Sequence, residues 1–203
     1  MDILTSAEDL RDAYGQPLPR AVSKLLRRLD AHARHFISLS PFVVLASIDK
    51  AGNADSTPRG DAPGFVKVLN DHTVVLPDRP GNNRLDTMMN VLEMPRIGML
   101  FMVPGLNETL RVNGGASIVN DAAILNSMSL KERAPKSGLL VSVEEVFFHC
   151  GKALLRSELW NPERQVSREK FPTLGRILAD QIAGTHAETM EAKIEHGYQN
   201  HLY

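Results

Sequence analysis

The stretch FVVLASIDKAGNADSTPRG, Phe42 to Gly60, sets the fold class. Its first half is apolar and rich in β-branched residues, its middle carries Gly52 and Asn53, and its second half is an extended polar run. A strand, a tight turn in which the Gly-Asn pair supplies positive φ, and a returning strand make an antiparallel hairpin. The arrangement recurs downstream, where FVKVLN, turn residues around Asp71 and VVLP form a second hairpin. Three more apolar runs, IGMLFMVP, ETLRVNGGASIV and GLLVSVEEVFFHC, read as further strands, and a helix from Leu85 to Glu93, stopped by Pro95, interrupts the series. Closely spaced strands joined by hairpins, with one inserted helix, predict an antiparallel barrel rather than a parallel βαβ sheet.

Outward from this middle, both flanks are helical in pattern. Ser6 with Asp9 three residues on marks a helix start, and Pro19 followed by Val22, Leu25, Leu26 and Leu29 gives an apolar stripe at helical spacing. Lys24, Arg27, Arg28 and Arg34 fall on the polar face and are expected to be solvated. GKALLRSELW, TLGRILADQIA and HAETMEAKIEH form amphipathic helices that pack on their own barrel or on a second subunit. The expected class is mainly β with flanking helices (α+β). The expected layout is a single domain over residues 1–203, with N-terminal helices at 1–38, the barrel at 39–150 and a C-terminal helical segment at 151–203.

Composition narrows the function. At 203 residues, 43% hydrophobic, 23% charged and a net charge of -1, the chain lacks the basic excess of a general nucleic-acid binder. Its longest apolar run, Ile97 to Val103, is far short of the ~20 residues that span a bilayer, so no membrane segment is expected. The acidic start MDILTSAEDLRD has no secretory character, and a lone cysteine, Cys150, suits a reducing cytoplasm. No GxGxxG after a strand, Walker loop, HExxH, GxSxG or EF-hand loop is present. His32 and His35 read as an ordinary polar helix face, as do His186, His196 and His201, so no metal site is expected. His149 and Cys150 adjoin at a strand end and point to opposite faces, which leaves Cys150 as a small buried residue.

The arginine loops survive this pruning. Arg59 sits in STPRGDAPG, Arg79 and Arg84 flank Gly81-Asn82-Asn83, and Arg111 lies in ETLRVNGG. Guanidinium forks, asparagine amides and the N–H groups of a helix start are phosphate ligands, suited to a group carrying about -1.5 to -2 charges. Equally, Asn83 would cap the following helix while the arginines pair with Asp61, Asp78 and Asp86. Residue types alone leave both readings open.

The order of motifs adds a resemblance. PRGDAPGFV, LPDRPGNNRLD, a helix closing at EMPRIG, ETLRVNG and HCGKALLRSELW together resemble the FMN-binding split β-barrel proteins of the pyridoxamine 5'-phosphate oxidase-like family, over roughly Phe36 to Trp160. The resemblance implies an antiparallel split barrel and a homodimer with FMN at the subunit interface. It places Arg59, with Gly60 and Asp61 of the same motif, on the FMN phosphate or ribityl chain, and the Leu76-Pro77 backbone near the ring. It sets Asn83 and Arg84 on the phosphate, Thr109 facing the flavin, and Lys152 and Arg156 reaching it from late in the chain or from the partner. The oxidases carry Ser-Arg-Lys where this chain has Asn82-Asn83-Arg84, so Arg79 or Lys152 would supply the missing charge. They carry glutamine at Thr109, and a C-terminal tryptophan and Arg-x-His arrangement is missing here, so oxidation of the vitamin phosphate itself is not implied. The implied activity is an FMN-dependent oxidoreductase moving a hydride or electron pair to or from a small molecule, with no catalytic side chain assigned. The alternatives are a non-catalytic flavin carrier or sensor, or a haem-binding relative using His149.

Overall fold

The structure, a computed structural model, describes residues 3–202. Its elements run α1 (Ala7–Tyr14), α2 (Pro19–Ser23), α3 (Ala31–Leu39), β1 (Phe42–Ile48), β2 (Ala54–Gly60), β3 (Lys67–Asn70), β4 (Thr73–Pro77), α4 (Asp86–Glu93), β5 (Arg96–Met102), β6 (Thr109–Val119), α5 (Ala122–Asn126), β7 (Gly138–His149), α6 (Lys152–Ser157), α7 (Leu174–Gln181) and α8 (Ala187–Asn200). Seven strands pair antiparallel in the order β2-β1-β5-β6-β7-β4-β3. Although β1 and β4 are far apart in that order, Leu45 of β1 and Leu76 of β4 line one cleft, so the sheet curls back on itself. The result is the expected antiparallel split barrel with flanking helices.

Side-chain alternation decides which face becomes the core. Val43 and Leu45 on β1, Ile97, Met99 and Phe101 on β5, and Leu110, Val112 and Ala116 on β6 all point inward and are buried. On β7 the inward set is Leu139, Val141 and Val143, and then Val146: the parity switches where Glu144 is inserted opposite the Asn113–Gly114 step. This bulge demands a residue without a side chain across from it. A Cβ on Gly114 would lie 2.0 Å from the Ser142 carbonyl oxygen. The bulged Glu144 is gripped from β5 by both nitrogens of the Arg96 fork, each at 2.6 Å.

The N-terminal flank departs from the predicted single stripe. Ser6 and Asp9 do form the capping box of α1, but α2 ends at Ser23. Leu26 is instead drawn into a β-bridge, its N–H donating to the Val146 carbonyl at 3.0 Å and its carbonyl accepting from the Val146 N–H at 2.8 Å. The cause is the length of β7, whose pairing with β4 stops at Ser142 and leaves the rest of that edge with unpaired backbone groups. The basic residues follow the chain onto the barrel rather than into solvent alone. Lys24 Nζ donates to the Phe148 carbonyl at 2.7 Å and sits 4.1 Å from the Phe147 ring centroid, while Arg34 pairs with Asp71.

At the other end, Trp160 Nε1 donates to the Leu106 carbonyl at 2.8 Å, and α7 packs on α8. Gly175 permits that approach, since a Cβ there would fall 2.3 Å from Glu191 Cγ. No helix among the described residues is long and apolar enough to cross a membrane.

Candidate functional site

A cavity of about 880 Å³ opens where the end of β2, the loop after β4, the start of α4 and the segment before β7 converge. Period-two alternation along β2 puts Asp55, Thr57 and Arg59 on the face that lines it. The Arg59 guanidinium is held in place by donating to Thr57 Oγ1 at 2.6 Å and to the Pro58 carbonyl at 2.9 Å. A narrower apolar cleft continues inward beside Arg59, Asp78, Thr87 and Met88, walled by Leu45, Leu76 and Leu139. The site therefore joins a polar mouth to an oily floor.

The loop between β4 and α4 gets its shape from two residues in the left-handed region, Asn83 (φ 58) and Leu85 (φ 59). Asparagine tolerates that region; leucine does not, and its presence there is local strain of on the order of 1 kcal/mol. Asn82 stabilises the loop by accepting the Arg84 N–H at 3.1 Å through Oδ1. The expected Asn83 cap is absent: α4 begins one residue later than predicted, after Leu85, with no side chain bonded to its first N–H groups. Asp86, Thr87 and Met88 of that uncapped first turn line the cavity, where the helix's first N–H groups and its dipole favour an anion.

The two arginines of PDRPGNNR have separate tasks. Arg79 Nε donates at 2.6 Å to Asp61, whose side chain is 1% exposed, and its Nη1 donates to the Met128 carbonyl at 2.9 Å. Arg84 is 73% exposed and donates to Asp86 at 2.8 Å, so its guanidinium remains reachable from the cavity. Asp78 extends the β4–β7 ladder by donating its N–H to the Ser137 carbonyl at 3.0 Å. Burial raises the Asp78 carboxyl above its ordinary value, opposed by the nearby charges of Arg59 and Lys136.

Of the expected site residues, Arg59, Gly60, Asn83 and Arg84 meet in the cavity, and Leu76 forms the floor of its inner cleft. Pro77 is buried and paired with Gly138, and Asp61 stands behind Arg79. Thr109, Lys152 and Arg156 do not reach this cavity within one chain. Thr109 is buried at the start of β6, paired with His149, and the two basic residues lie on α6 just beyond it. Arg111 belongs to that end too: it pairs with Glu145 and lies 5.1 Å from the Phe147 ring centroid.

His149 is half-buried there, its ring centroid 5.0 Å from that of Phe147 in an edge-on arrangement; burial first, then the charges of Arg111 and Lys24, hold its pKa down. Cys150 is exposed rather than buried, because the chain leaves the sheet at this point. The Lys152 backbone N–H, and secondarily its ammonium, lower the Cys150 thiol pKa. No group of metal-ligating side chains occurs among the described residues.

Sequence reasoning passed over Asp55, Thr57, Thr87, Arg133 and Lys136, and had Asp78 only as a partner for an arginine. The first two were within reach, since counting back by twos from Arg59 finds them. Arg133 and Lys136 carry no such signal, because some fifty residues separate them from Arg84 and only the folded chain brings them to it.

A family model described as pyridoxamine 5'-phosphate oxidase matches residues 29–150. No curated protein sequence matches the chain. Among solved structures it is similar to HupZ from Group A Streptococcus (17% identity, 59% of this chain and 93% of that one, TM-score 0.49). It is also similar to an FMN-binding protein from Syntrophomonas wolfei (11%, 58% and 81%, TM-score 0.42) and to HutZ, the haem storage protein of Vibrio cholerae (13%, 60% and 94%, TM-score 0.43).

Proposed function

The chain belongs to the pyridoxamine 5'-phosphate oxidase family, and from that premise we propose that it holds FMN in the cavity beside β2 and α4 and acts as an FMN-dependent oxidoreductase on a small molecule. The observation that carries this reading is the donor set. Arg59, Arg84, the amides of Asn82 and Asn83 and the uncapped start of α4 converge on one mouth, and Leu45, Leu76, Met88 and Leu139 line the cleft behind it. The donors suit a phosphate, the apolar residues offer a surface against which a planar ring can lie, and about 880 Å³ lies within the ~300–1,000 Å³ usual for ligand sites.

Bound flavin would supply the exchange of a hydride or electron pair with the substrate. The chain's own residues do the rest. Arg59 and Arg84 anchor the phosphate, Leu76 and its neighbours exclude water from one side of the ring, and Gly60 and Asn83 shape the entrance. Asp61 acts at one remove by fixing Arg79, and Pro77 by closing the strand before the loop. Thr109, Lys152 and Arg156 lie away from their own cavity, which fits a homodimer in which each subunit lends these residues to its partner's flavin. The large exposed apolar residues on the C-terminal segment, Leu155, Phe171, Ile182 and Tyr198, fit burial against a second subunit. The lone cysteine suits a cytoplasmic location.

Purified protein is expected to be yellow, or to take up FMN in a fluorescence titration, with one flavin per chain and a dimer by light scattering. Protein that is colourless and binds no FMN refutes the reading. Flavin that binds but is reduced by neither nicotinamide donor under anaerobic conditions would favour a carrier instead. A Soret band that forms on adding haem and is lost in His149→Ala would favour the haem-binding alternative.

A further inference from the structure

We propose that Arg133 and Lys136, in the segment between α5 and β7, form the second half of the phosphate seat and make this cavity select phosphorylated over unphosphorylated flavin. The proposal rests on the FMN reading and adds residues that the arginine loops do not contain.

Charge supplies the first argument. Without this segment the cavity has three arginines, Arg59, Arg79 and Arg84, against four carboxylates, Asp55, Asp78 and Asp86 on its wall and Asp61 behind Arg79, a net charge of -1. A mouth of that sign repels a phosphate. Arg133 and Lys136 reverse it to +1.

Availability supplies the second. The Arg79 fork is taken by Asp61 and the Met128 carbonyl, Arg84 shares its charge with Asp86, and Arg59 is tied to Thr57 and Pro58. The side chains of Arg133 and Lys136 make no hydrogen bond or salt bridge among the described residues; Lys136 feels the charge of Asp78, but neither cation is tied down by a bonded partner at the mouth. Lys152, the other candidate for the missing charge, lies on α6 and does not line this cavity.

The backbone aims both residues. Leu130 and Arg133 close a two-residue turn through paired hydrogen bonds of 3.0 and 2.9 Å, with Lys131 (φ 48) and Glu132 (φ 64) both left-handed. Turns of that kind favour glycine and asparagine; non-glycine residues at both positions are strain retained beside a binding site. Lys136 is fixed between buried Pro135 and Ser137, whose carbonyl takes the Asp78 N–H. The strained turn and the Pro135–Ser137 segment after it thus hold both cations on the wall of the cavity that the uncapped start of α4 also lines.

The test titrates flavin-stripped full-length protein with FMN and, separately, riboflavin, following quenching of flavin fluorescence at low salt. Each charge-assisted contact is worth roughly tenfold in dissociation constant, so Arg133→Gln/Lys136→Gln should weaken FMN on the order of 100-fold and riboflavin less than about threefold. Lys131→Gln, in the same turn but off the cavity wall, should change neither. As a second readout on unaltered protein, the FMN dissociation constant should rise steeply with salt while that of riboflavin stays nearly flat. Full FMN affinity in the double variant, or equal salt slopes for the two flavins, overturns this proposal and leaves the flavin reading intact. Wild-type protein that binds neither flavin overturns both.

Discussion

Arg79→Ala separates structure from binding within one motif. Asp61 is 1% exposed and Arg79 17% exposed, with 2.6 Å between Nε and Oδ2, so the substitution strips a guanidinium from a buried carboxylate. Breaking a buried pair from one side costs about 3–5 kcal/mol, because the remaining charge keeps its desolvation penalty. The lost bond to the Met128 carbonyl adds to the same side of the balance. In a domain of this size each kcal/mol moves the melting temperature by roughly 2–4 °C, so the midpoint should fall by about 6–20 °C.

Arg84→Ala, only five positions on, removes a partner from a 73% exposed pair and should cost less than about 1 kcal/mol of stability. Its effect belongs to the ligand: FMN affinity should drop by roughly 1.5–3 kcal/mol. Thermal melts by circular dichroism, with urea unfolding of the same proteins, read the first quantity, and fluorescence titration reads the second. Arg79→Met combined with Asp61→Leu should recover part of the loss, since the buried charge is removed while the Ala62 N–H, which donates to Asp61 Oδ1 at 2.7 Å, loses its acceptor. A melting point for Arg79→Ala within about 2 °C of wild type would refute the assignment of Arg79 as a structural clamp.

Gly114→Ala should be among the most damaging single-methyl changes in the barrel, because its Cβ would meet the Ser142 carbonyl oxygen at 2.0 Å and the β6–β7 ladder must shift. Loss of more than about 3 kcal/mol in urea unfolding is expected, whereas Gly81→Ala, whose nearest contact is the Arg79 carbonyl at 4.0 Å, should be nearly neutral. Asp78→Asn tests the raised carboxyl. Between the unfolded value near 3.8 and the higher folded value the native state binds more protons, so wild-type stability falls as pH rises through that window. The asparagine variant should lack that fall, melt higher at neutral pH and bind FMN more tightly. Cys150 should alkylate faster than a free thiol near pH 7.5; Lys152→Gln should slow it only slightly, because the backbone N–H, the larger cause, remains.

Local sequence determined the barrel's hairpins and the capping box of α1, while the grouping of Arg59 with Asn83 and Arg84 came from the family resemblance. The hairpins and the capping box depend on residues a few positions apart, where alternation, turn chemistry and helix capping act without help from the rest of the chain. The same local logic failed at Leu26, where an unfilled edge of β7 outweighed helical spacing, and at Asn83, where the loop took the left-handed region instead of capping α4. It also failed at Cys150, because strand composition does not reveal where the chain leaves the sheet. Only the tertiary structure decided which arginine is spent on a buried carboxylate and which stays exposed at the cavity, paired with a surface one. It also decided that Arg133 and Lys136 line the cavity while Thr109, Lys152 and Arg156 stand apart from it. The reason is physical: charge balance and burial at a site are sums over everything the fold brings near, and those neighbours come from segments whose spacing in sequence carries no trace of their meeting in space.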